Sequence, residues 1–302
     1  MKRVVSVSIG SPARDKKVET EILGEKYIIE RIGTNGDIKK AIRLIRELDG
    51  KVDAFGVGGI DLYIRGVKKK YIIRDAVPIV NAAVISPIVD GTGIKNTLEG
   101  QVVKRLQKDK ILDLKNKKVL ITAAADRFQM AKAFFESGSD VIIGDLIFAL
   151  DIPIPIRSIR AFGILAAIAI PIISRLPFSM VYPTGEKQEE VNEEKYARYY
   201  YDADIIAGDF HYIKKYMPRD MVGKIIVTNT VTSDDVKMLK ERGLSMLVTT
   251  TPELDGRSFG TNVIEAVLVS ISGKKPDELS EKDYYEILEK LDLKPRVEYL
   301  ND

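Results

Sequence analysis

The chain has 302 residues, which is long for one hydrophobic core and sufficient for two domains of ordinary size. A net charge of +3, with acidic and basic residues evenly mixed, does not indicate a nucleic-acid partner. The absence of cysteine excludes disulfides, zinc–thiolate sites and a thiol nucleophile. No signal-peptide pattern is visible, so we expect a cytoplasmic protein with no membrane partner. Abundant Lys, Glu and Ile suggest a thermophilic source.

Residues 1–113 are expected to form a smaller N-terminal α/β domain that binds the substrate. Its predicted elements are a strand at 4–8, a hairpin over 19–31, a helix over 37–48, a strand at 52–55, a short hairpin over 63–73, a helix over 75–83, a strand at 85–89 and a helix that ends near 106. A polar, basic stretch at 109–116 marks the expected boundary between domains.

Residues 114–302 are expected to form a Rossmann-like, doubly wound domain with about six parallel strands and a closing helix at 281–291. It opens with a β-α-β unit at 117–145, made of a strand at 119–122, a helix over 126–137 and a strand at 141–143. The apolar run at 161–173 predicts a buried helix, too short to cross a bilayer. Further elements are predicted at 179–181, 189–200, 204–216, 224–242 and 246–272. The fold class is therefore α/β with two domains.

The β-α-β unit has the layout of a dinucleotide site. Its first turn would bring a helix N-terminus to a diphosphate, and the acid after its second strand would accept hydrogen bonds from a ribose. Asp145 lies 22 positions after Ala123, as this arrangement requires. The residues expected to bind NAD or NADP here are Ala123, Ala125, Asp126, Arg127 and Asp145. The places of the usual glycines hold other residues, so an ordinary β-α-β unit, with Asp126 as helix cap and no nucleotide, is the alternative.

Four glycine-containing loops, at 10–14, 56–59, 91–96 and 255–262, follow predicted strands or precede helices. Glycine N–H groups and nearby basic side chains favour a small anionic ligand, while ordinary turns and helix caps are the alternative. The residues expected to contact this ligand are Ser11, Arg14, Gly58, Gly59, Gly93, Asn96, Arg257 and Ser258.

Lys95 is the expected proton-transfer residue, because desolvation of a lysine between two domains moves its pKa towards neutrality. Asp90, Asp61 or another nearby acid would be its partner. A charge contact with a phosphate, or a solvated lysine, is the alternative. The sequence shows no metal-ligand spacing, Walker loop or Ser-His-Asp arrangement, so no metal is expected.

Several segments match known motifs. Ser8-Ile9-Gly10-Ser11-Pro12 is similar to a Ser-x-Ser-Pro loop that holds a substrate carboxylate, and Lys95 occupies a place like that of a catalytic lysine. The segments 228–232 and 243–248 are similar to those that contact nicotinamide. In these features and in its domain order the chain resembles the shikimate and quinate dehydrogenase family.

This resemblance implies an NAD(P)-dependent oxidoreductase that transfers hydride between nicotinamide and a cyclic hydroxy acid. Lys95 would move the hydroxyl proton, Ser11 and Arg14 would orient a carboxylate, and Thr228 and Asn229 would lie near the nicotinamide. Asp145 would favour NAD over NADP. A homodimer is among the expected assemblies. The alternatives are a non-catalytic ligand-binding or sensor protein that lost the cofactor turn, and a non-redox enzyme that acts on a phosphorylated metabolite.

Overall fold

The computed structural model describes residues 1–65, 70–176, 192, 195–251, 253–254, 257–258, 260–291 and 295–301. Within these ranges, the side chains of residues 14, 65, 70, 96, 253, 254, 257 and 258 lie outside the description. The predicted strand at 179–181 also lies outside the described residues, as does part of the predicted helix over 189–200.

Strands and helices alternate along most of the chain. The described strands are β1 (Lys2–Ser8), β2 (Lys16–Ile22), β3 (Glu25–Gly33), β4 (Ala54–Gly58), β5 (Tyr63–Arg65), β6 (Lys70–Ile72), β7 (Ile88–Val89), β8 (Lys118–Ile121), β9 (Asp140–Ile143), β10 (Ile205–Gly208), β11 (Ile225–Thr228), β12 (Met246–Thr249), β13 (Glu253–Leu254), β14 (Arg257–Ser258) and β15 (Arg296–Tyr299). The described helices are α1 (Ile38–Leu48), α2 (Val77–Val80), α3 (Thr92–Lys108), α4 (Phe128–Glu136), α5 (Asp145–Leu150), α6 (Ile159–Ile173), α7 (Ala197–Asp202), α8 (Phe210–Tyr216), α9 (Ser233–Glu241), α10 (Thr261–Ser272) and α11 (Glu281–Lys290).

The chain folds into two compact units that are not consecutive in sequence. The first unit comprises residues 1–97, 168–187 and 259–293, and the second comprises residues 98–167, 188–258 and 294–302. The expected division between residues 113 and 114 does not follow these units. The C-terminal part returns to the first unit because α10 packs against β1 and β4.

The first unit is built on a sheet in which the described strands follow the order β2-β3-β1-β4-β7. β1 runs parallel to β3 and β4, and β2 pairs antiparallel with β3 as the predicted hairpin. Val4, Val5 and Val7 are all buried, because β1 is central and both of its faces are covered. α10 lies so close to β4 that a Cβ atom on Gly56 would be 2.7 Å from the Asn262 carbonyl oxygen.

The second unit is built on a sheet of six described strands in the order β15-β12-β11-β10-β8-β9. The five strands from β8 to β12 are parallel, and all five were expected. The sixth expected parallel strand, at 179–181, lies outside the described residues. β15, which the sequence analysis did not predict, pairs antiparallel with β12. Numbered along the chain, the parallel strands have the doubly wound order 2-1-3-4-5. The order reverses between β8 and β10, and this switch point is where such sheets bind ligands.

The apolar run at 161–173 was expected to form a buried helix, but helix α6 buries only one of its faces. Phe162, Ala166 and Ile170 face inwards, whereas Ile164 and Ile168 are 66% and 64% exposed. Every residue from 161 to 173 is apolar, so this stretch offers no contrast from which the buried face could be predicted. Among the described residues, no helix combines the length and apolar character needed to cross a membrane.

Candidate functional site

The predicted dinucleotide turn, residues 123–127, follows β8 at the switch point of the second unit. Asp145 is the first residue of α5, directly beyond β9, and its carboxylate accepts hydrogen bonds from the backbone N–H groups of Ala124 and Ala125, both at 2.8 Å. The acid therefore lies beside the turn, as the spacing predicted. Its oxygens bind the turn itself, however, whereas the sequence analysis assigned them to a ribose.

Burial raises the pKa of Asp145 to about 6, although the hydrogen bonds from Ala124 and Ala125 act in the opposite direction. The neighbouring charge of Asp126 raises it further. At neutral pH the turn thus carries a carboxylate where the diphosphate of a dinucleotide would accept the same N–H groups. The residues of the 123–127 turn do not fit NAD or NADP in this arrangement.

Arg127 cannot balance that charge, because its guanidinium group is already paired. The side chain is fully buried and forms ion pairs with Glu99 and, at 2.9 Å, with Asp209; Asp126 lies at 3.9 Å. Burial works against the charged form, but the carboxylates of Glu99 and Asp209 outweigh it and raise the pKa of Arg127. Arg127 is therefore held inside the second unit and is not exposed to an anion.

Thr228 ends β11 and Asn229 follows it, on the same edge of the sheet, but both contact protein groups. The Thr228 hydroxyl donates to the Gly208 carbonyl at 2.8 Å and is fully buried. The Asn229 side-chain amide donates to Asp209 at 2.9 Å. The structure therefore brings Arg127, Asp209 and Asn229 into one network that joins the ends of β10 and β11. The contribution of Asp209 was not predicted.

In the first unit, the structure joins Lys95 to Asp61. Lys95 lies in the first turn of α3, just beyond β7, and Asp61 follows β4, the neighbouring parallel strand. The Lys95 Nζ atom donates to Asp61 Oδ1 at 2.8 Å, and the two side chains are only 8% and 16% exposed. Asp61 was one of the acids considered as a partner for Lys95, and the structure selects it.

Asp90 does not have the catalytic position that the sequence analysis gave it. Its carboxylate accepts backbone N–H groups from Leu62 at 2.7 Å and from Tyr63 at 3.0 Å on one oxygen, and from Thr92 at 2.9 Å on the other. Asp90 is buried, and three donors occupy it. It ties the segment next to Asp61 to the start of α3, so it holds the backbone and leaves the contact with Lys95 to Asp61.

The glycines of the predicted anion loops are accounted for by close packing. The N–H of Gly93 donates to the Glu265 carboxylate at 3.1 Å, and Gly58 lies against the side chains of Ser8 and Asn262. Gly59 has a φ angle of +80°, which favours glycine. Glycine at these positions therefore allows the close approach of α10 and a tight turn. The Gly93 N–H group, which was assigned to an anionic ligand, already has a carboxylate acceptor.

The remaining predicted contacts lie near the end of β1 or outside the description. The Ser11 hydroxyl accepts the Ala13 N–H at 3.2 Å as the cap of a short 3-10 helix. Arg31, which the sequence analysis missed, donates to the Ser8 hydroxyl at 2.9 Å and to Asp15 at 2.7 Å. The predicted ligand-binding side chains that lie outside the described residues are those of Arg14, Asn96, Arg257 and Ser258. Among the described side chains, no group of three or more His, Cys, Asp or Glu residues could hold a metal ion.

The chain is similar in fold to solved structures at low sequence identity. Glutamate dehydrogenase from Thermus thermophilus has a TM-score of 0.39 and 14% identity, with 96% of this chain and 74% of the other covered. L-tryptophan dehydrogenase from Nostoc punctiforme has a TM-score of 0.35 and 12% identity, with 89% and 68% covered. The 5-methylthioribose transporter solute binding protein from Thermotoga lettingae has a TM-score of 0.38 and 13% identity, with 99% and 86% covered. At these scores the similarities carry no inference about activity.

Comparison with curated proteins finds no match. Two family models match the chain itself. The one described as "Domain of unknown function (DUF8753)" matches residues 3–90, and the one described as "Domain of unknown function (DUF8754)" matches residues 93–300, which is more than half of the sequence. The chain belongs to the family of the second model, DUF8754.

Proposed function

We propose that the chain is an enzyme that moves a proton to or from an oxygen atom of a small hydroxylated molecule, with Lys95 as general acid and base. The observation that carries this proposal is the shielded 2.8 Å hydrogen bond between Lys95 and Asp61. Both residues follow neighbouring parallel strands, at the edge of the sheet where α/β proteins collect ligands and catalytic groups.

Lys95, paired with Asp61, can transfer a proton to the substrate or take one from it. The Lys95 ammonium group donates a proton to an alkoxide as that alkoxide forms, and the neutral amine takes a proton from a hydroxyl group in the reverse reaction. Asp61 orients the Lys95 side chain and balances its charge while it is protonated. A positioned group of this kind contributes about 10²- to 10⁴-fold to the rate.

The oxidoreductase interpretation shares this step. Oxidation of a cyclic hydroxy acid, the reaction that the resemblance implies, requires removal of a hydroxyl proton, which Lys95 would accept. The nicotinamide cofactor of that reaction is not supported by the contacts of the 123–127 turn, because the Asp145 carboxylate accepts the N–H groups of Ala124 and Ala125. No hydride step follows from these residues.

A non-catalytic ligand-binding protein is the second candidate. The carboxylate of Asp145 on the 123–127 turn favours it, since a protein that lost its cofactor can fill the empty anion position with its own acid. This candidate requires no turnover and gives Lys95 and Asp61 a purely structural role.

The test is a conversion assay in which the purified chain is incubated with hydroxy acids, keto acids and sugar alcohols, each with and without NAD and NADP. Products are followed by NMR. We expect conversion by the wild type to fall about 100-fold or more in Lys95→Met and to fall in Asp61→Asn. Lys274→Met is the matched control, because Lys274 forms a 2.7 Å ion pair with Asp283 in the same unit but is 49% exposed. Equal conversion by wild type and Lys95→Met would contradict the proposal.

A further inference from the structure

The first turn of α3, which carries Lys95, is held by a carboxylate from far along the chain. Glu265 lies in α10 and is only 4% exposed. One of its oxygens accepts the Gly91 N–H at 2.6 Å, and the other accepts the Gly93 N–H at 3.1 Å. These two N–H groups lie at the N-terminal end of α3, where backbone N–H groups have no acceptor within the helix. They are bound instead by an acid that is 170 positions from Lys95 in the sequence.

Tyr284 in α11 holds Glu265 in turn. Its hydroxyl group donates to a Glu265 oxygen at 2.8 Å, and the Tyr284 side chain is buried. Burial, together with the negative charge of Glu265, raises the pKa of Tyr284, so the hydroxyl remains a donor at all ordinary pH values. The carboxylate of Glu265 thus has partners on both of its sides and one orientation.

Gly93 leaves the space that this arrangement needs. A Cβ atom at position 93 would lie 2.3 Å from a Glu265 carboxylate oxygen and 2.8 Å from the Tyr284 hydroxyl oxygen. No larger residue fits there while Glu265 keeps its place. The glycine, the acid and the tyrosine therefore depend on one another, although they lie in three different helices.

Asp90 holds the backbone next to Asp61, the partner of Lys95. It binds the backbone of Leu62 and Tyr63, next to Asp61, and also the Thr92 N–H at the start of α3. Glu265 and Asp90 therefore anchor the same helical turn through different N–H groups. A shift of this turn would move Lys95 relative to Asp61, whose own backbone is anchored through Asp90.

We propose that Glu265, held by Tyr284, is a positioning residue for Lys95: it fixes the first turn of α3 so that the Lys95 amine meets the Asp61 carboxylate. The catalytic meaning of this inference rests on the proposed function, but the placement of Lys95 does not. The C-terminal segment that contains α10 and α11 is then a working part of the first unit's site.

The experiment measures how fast the Lys95 amine is modified by reductive methylation, using peptide mass spectrometry on the intact folded chain. Asp61→Asn removes the ion pair and sets the reference rate for a Lys95 that lacks the Asp61 carboxylate. We expect Glu265→Gln and Tyr284→Phe to raise the Lys95 rate several-fold towards that value, with Lys2 and Lys274 unchanged. Tyr285→Phe is the matched control, since Tyr285 is the next residue of α11 and its hydroxyl bonds to exposed Glu289.

A rise in the methylation rate of Lys95 alone distinguishes a positioning role from a loss of stability, because general unfolding raises the methylation rates of Lys95, Lys2 and Lys274 together. A Lys95 rate in both variants equal to that of the wild type would overturn the inference, as would equal rises at Lys2 and Lys274. If Glu265→Gln does not fold, as circular dichroism would show, Tyr284→Phe alone decides. A selective rise at Lys95, combined with no Lys95-dependent turnover in the conversion assay, would support the placement by Glu265 and refute the proposed enzyme.

Discussion

Replacement of Asp145 by asparagine is predicted to change how the stability of the chain depends on pH. Burial raises the pKa of this carboxyl group from 3.8 to about 6 in the folded state. An acid whose folded pKa is raised binds its proton more tightly in the folded than in the unfolded chain. Its contribution is therefore favourable below the unfolded value and is lost as the pH rises through about 6. A shift of about two pKa units corresponds to about 3 kcal/mol.

The assay is urea unfolding from about pH 3.5 to about pH 7, with the free energy of unfolding compared at each pH. We expect the wild type to lose up to about 3 kcal/mol more than Asp145→Asn across this range, because asparagine does not ionise. The variant gives up one of the two N–H bonds to the turn, which lowers its stability at every pH by about 1 kcal/mol and leaves the slope unaffected. Asp140→Asn, an exposed acid at the start of β9, is the control and should follow the wild type. Parallel curves for the wild type and Asp145→Asn would refute this reasoning.

Two further substitutions test the buried contacts. Arg127→Met should destabilise the chain by about 3–5 kcal/mol in urea unfolding, because it leaves Glu99 and Asp209 without their cation; a loss within the error of the measurement would show that the ion pairs contribute little. Gly93→Ala should cost about 1–3 kcal/mol in the same assay and should raise the methylation rate of Lys95, because its Cβ would collide with Glu265. Wild-type stability and labelling in Gly93→Ala would contradict the close approach described here.

Much of the fold was predictable from local patterns. The hairpin of β2 and β3, and α1 with its Asp37 cap, follow from apolar periodicity and capping residues. The alternation of strands and helices indicated the α/β class, which the structure confirms. β15 was missed because its four residues, Arg-Val-Glu-Tyr, are partly exposed at the edge of the sheet and show no apolar run. The return of α10 to the first unit is a long-range contact that no local pattern encodes.

The contacts of the candidate site depend on tertiary structure that the sequence does not reveal. The spacing rule placed Asp145 beside the 123–127 turn, but whether a carboxylate accepts from a ligand or from the turn itself depends on tertiary distances. Asp61 and Asp90 both follow strand ends, so the sequence could not choose between them as partner of Lys95. Glu265 had one signal that went unused: it is the only charged residue in helix α10, between the apolar stretches 263–264 and 266–269, where a buried acid needs partners.

Acids of this chain occupy N–H groups that the sequence assigned to an anionic ligand. The decisive measurement of this occupancy is calorimetric titration of the wild type and of Asp145→Ala with NAD and NADP. We expect no binding to the wild type below millimolar concentration. We expect tighter binding to the variant, in which the N–H groups of Ala124 and Ala125 are released and a negative charge is removed. Micromolar binding to the wild type that weakens in Asp145→Ala would contradict this occupancy and would make Asp145 a ribose ligand.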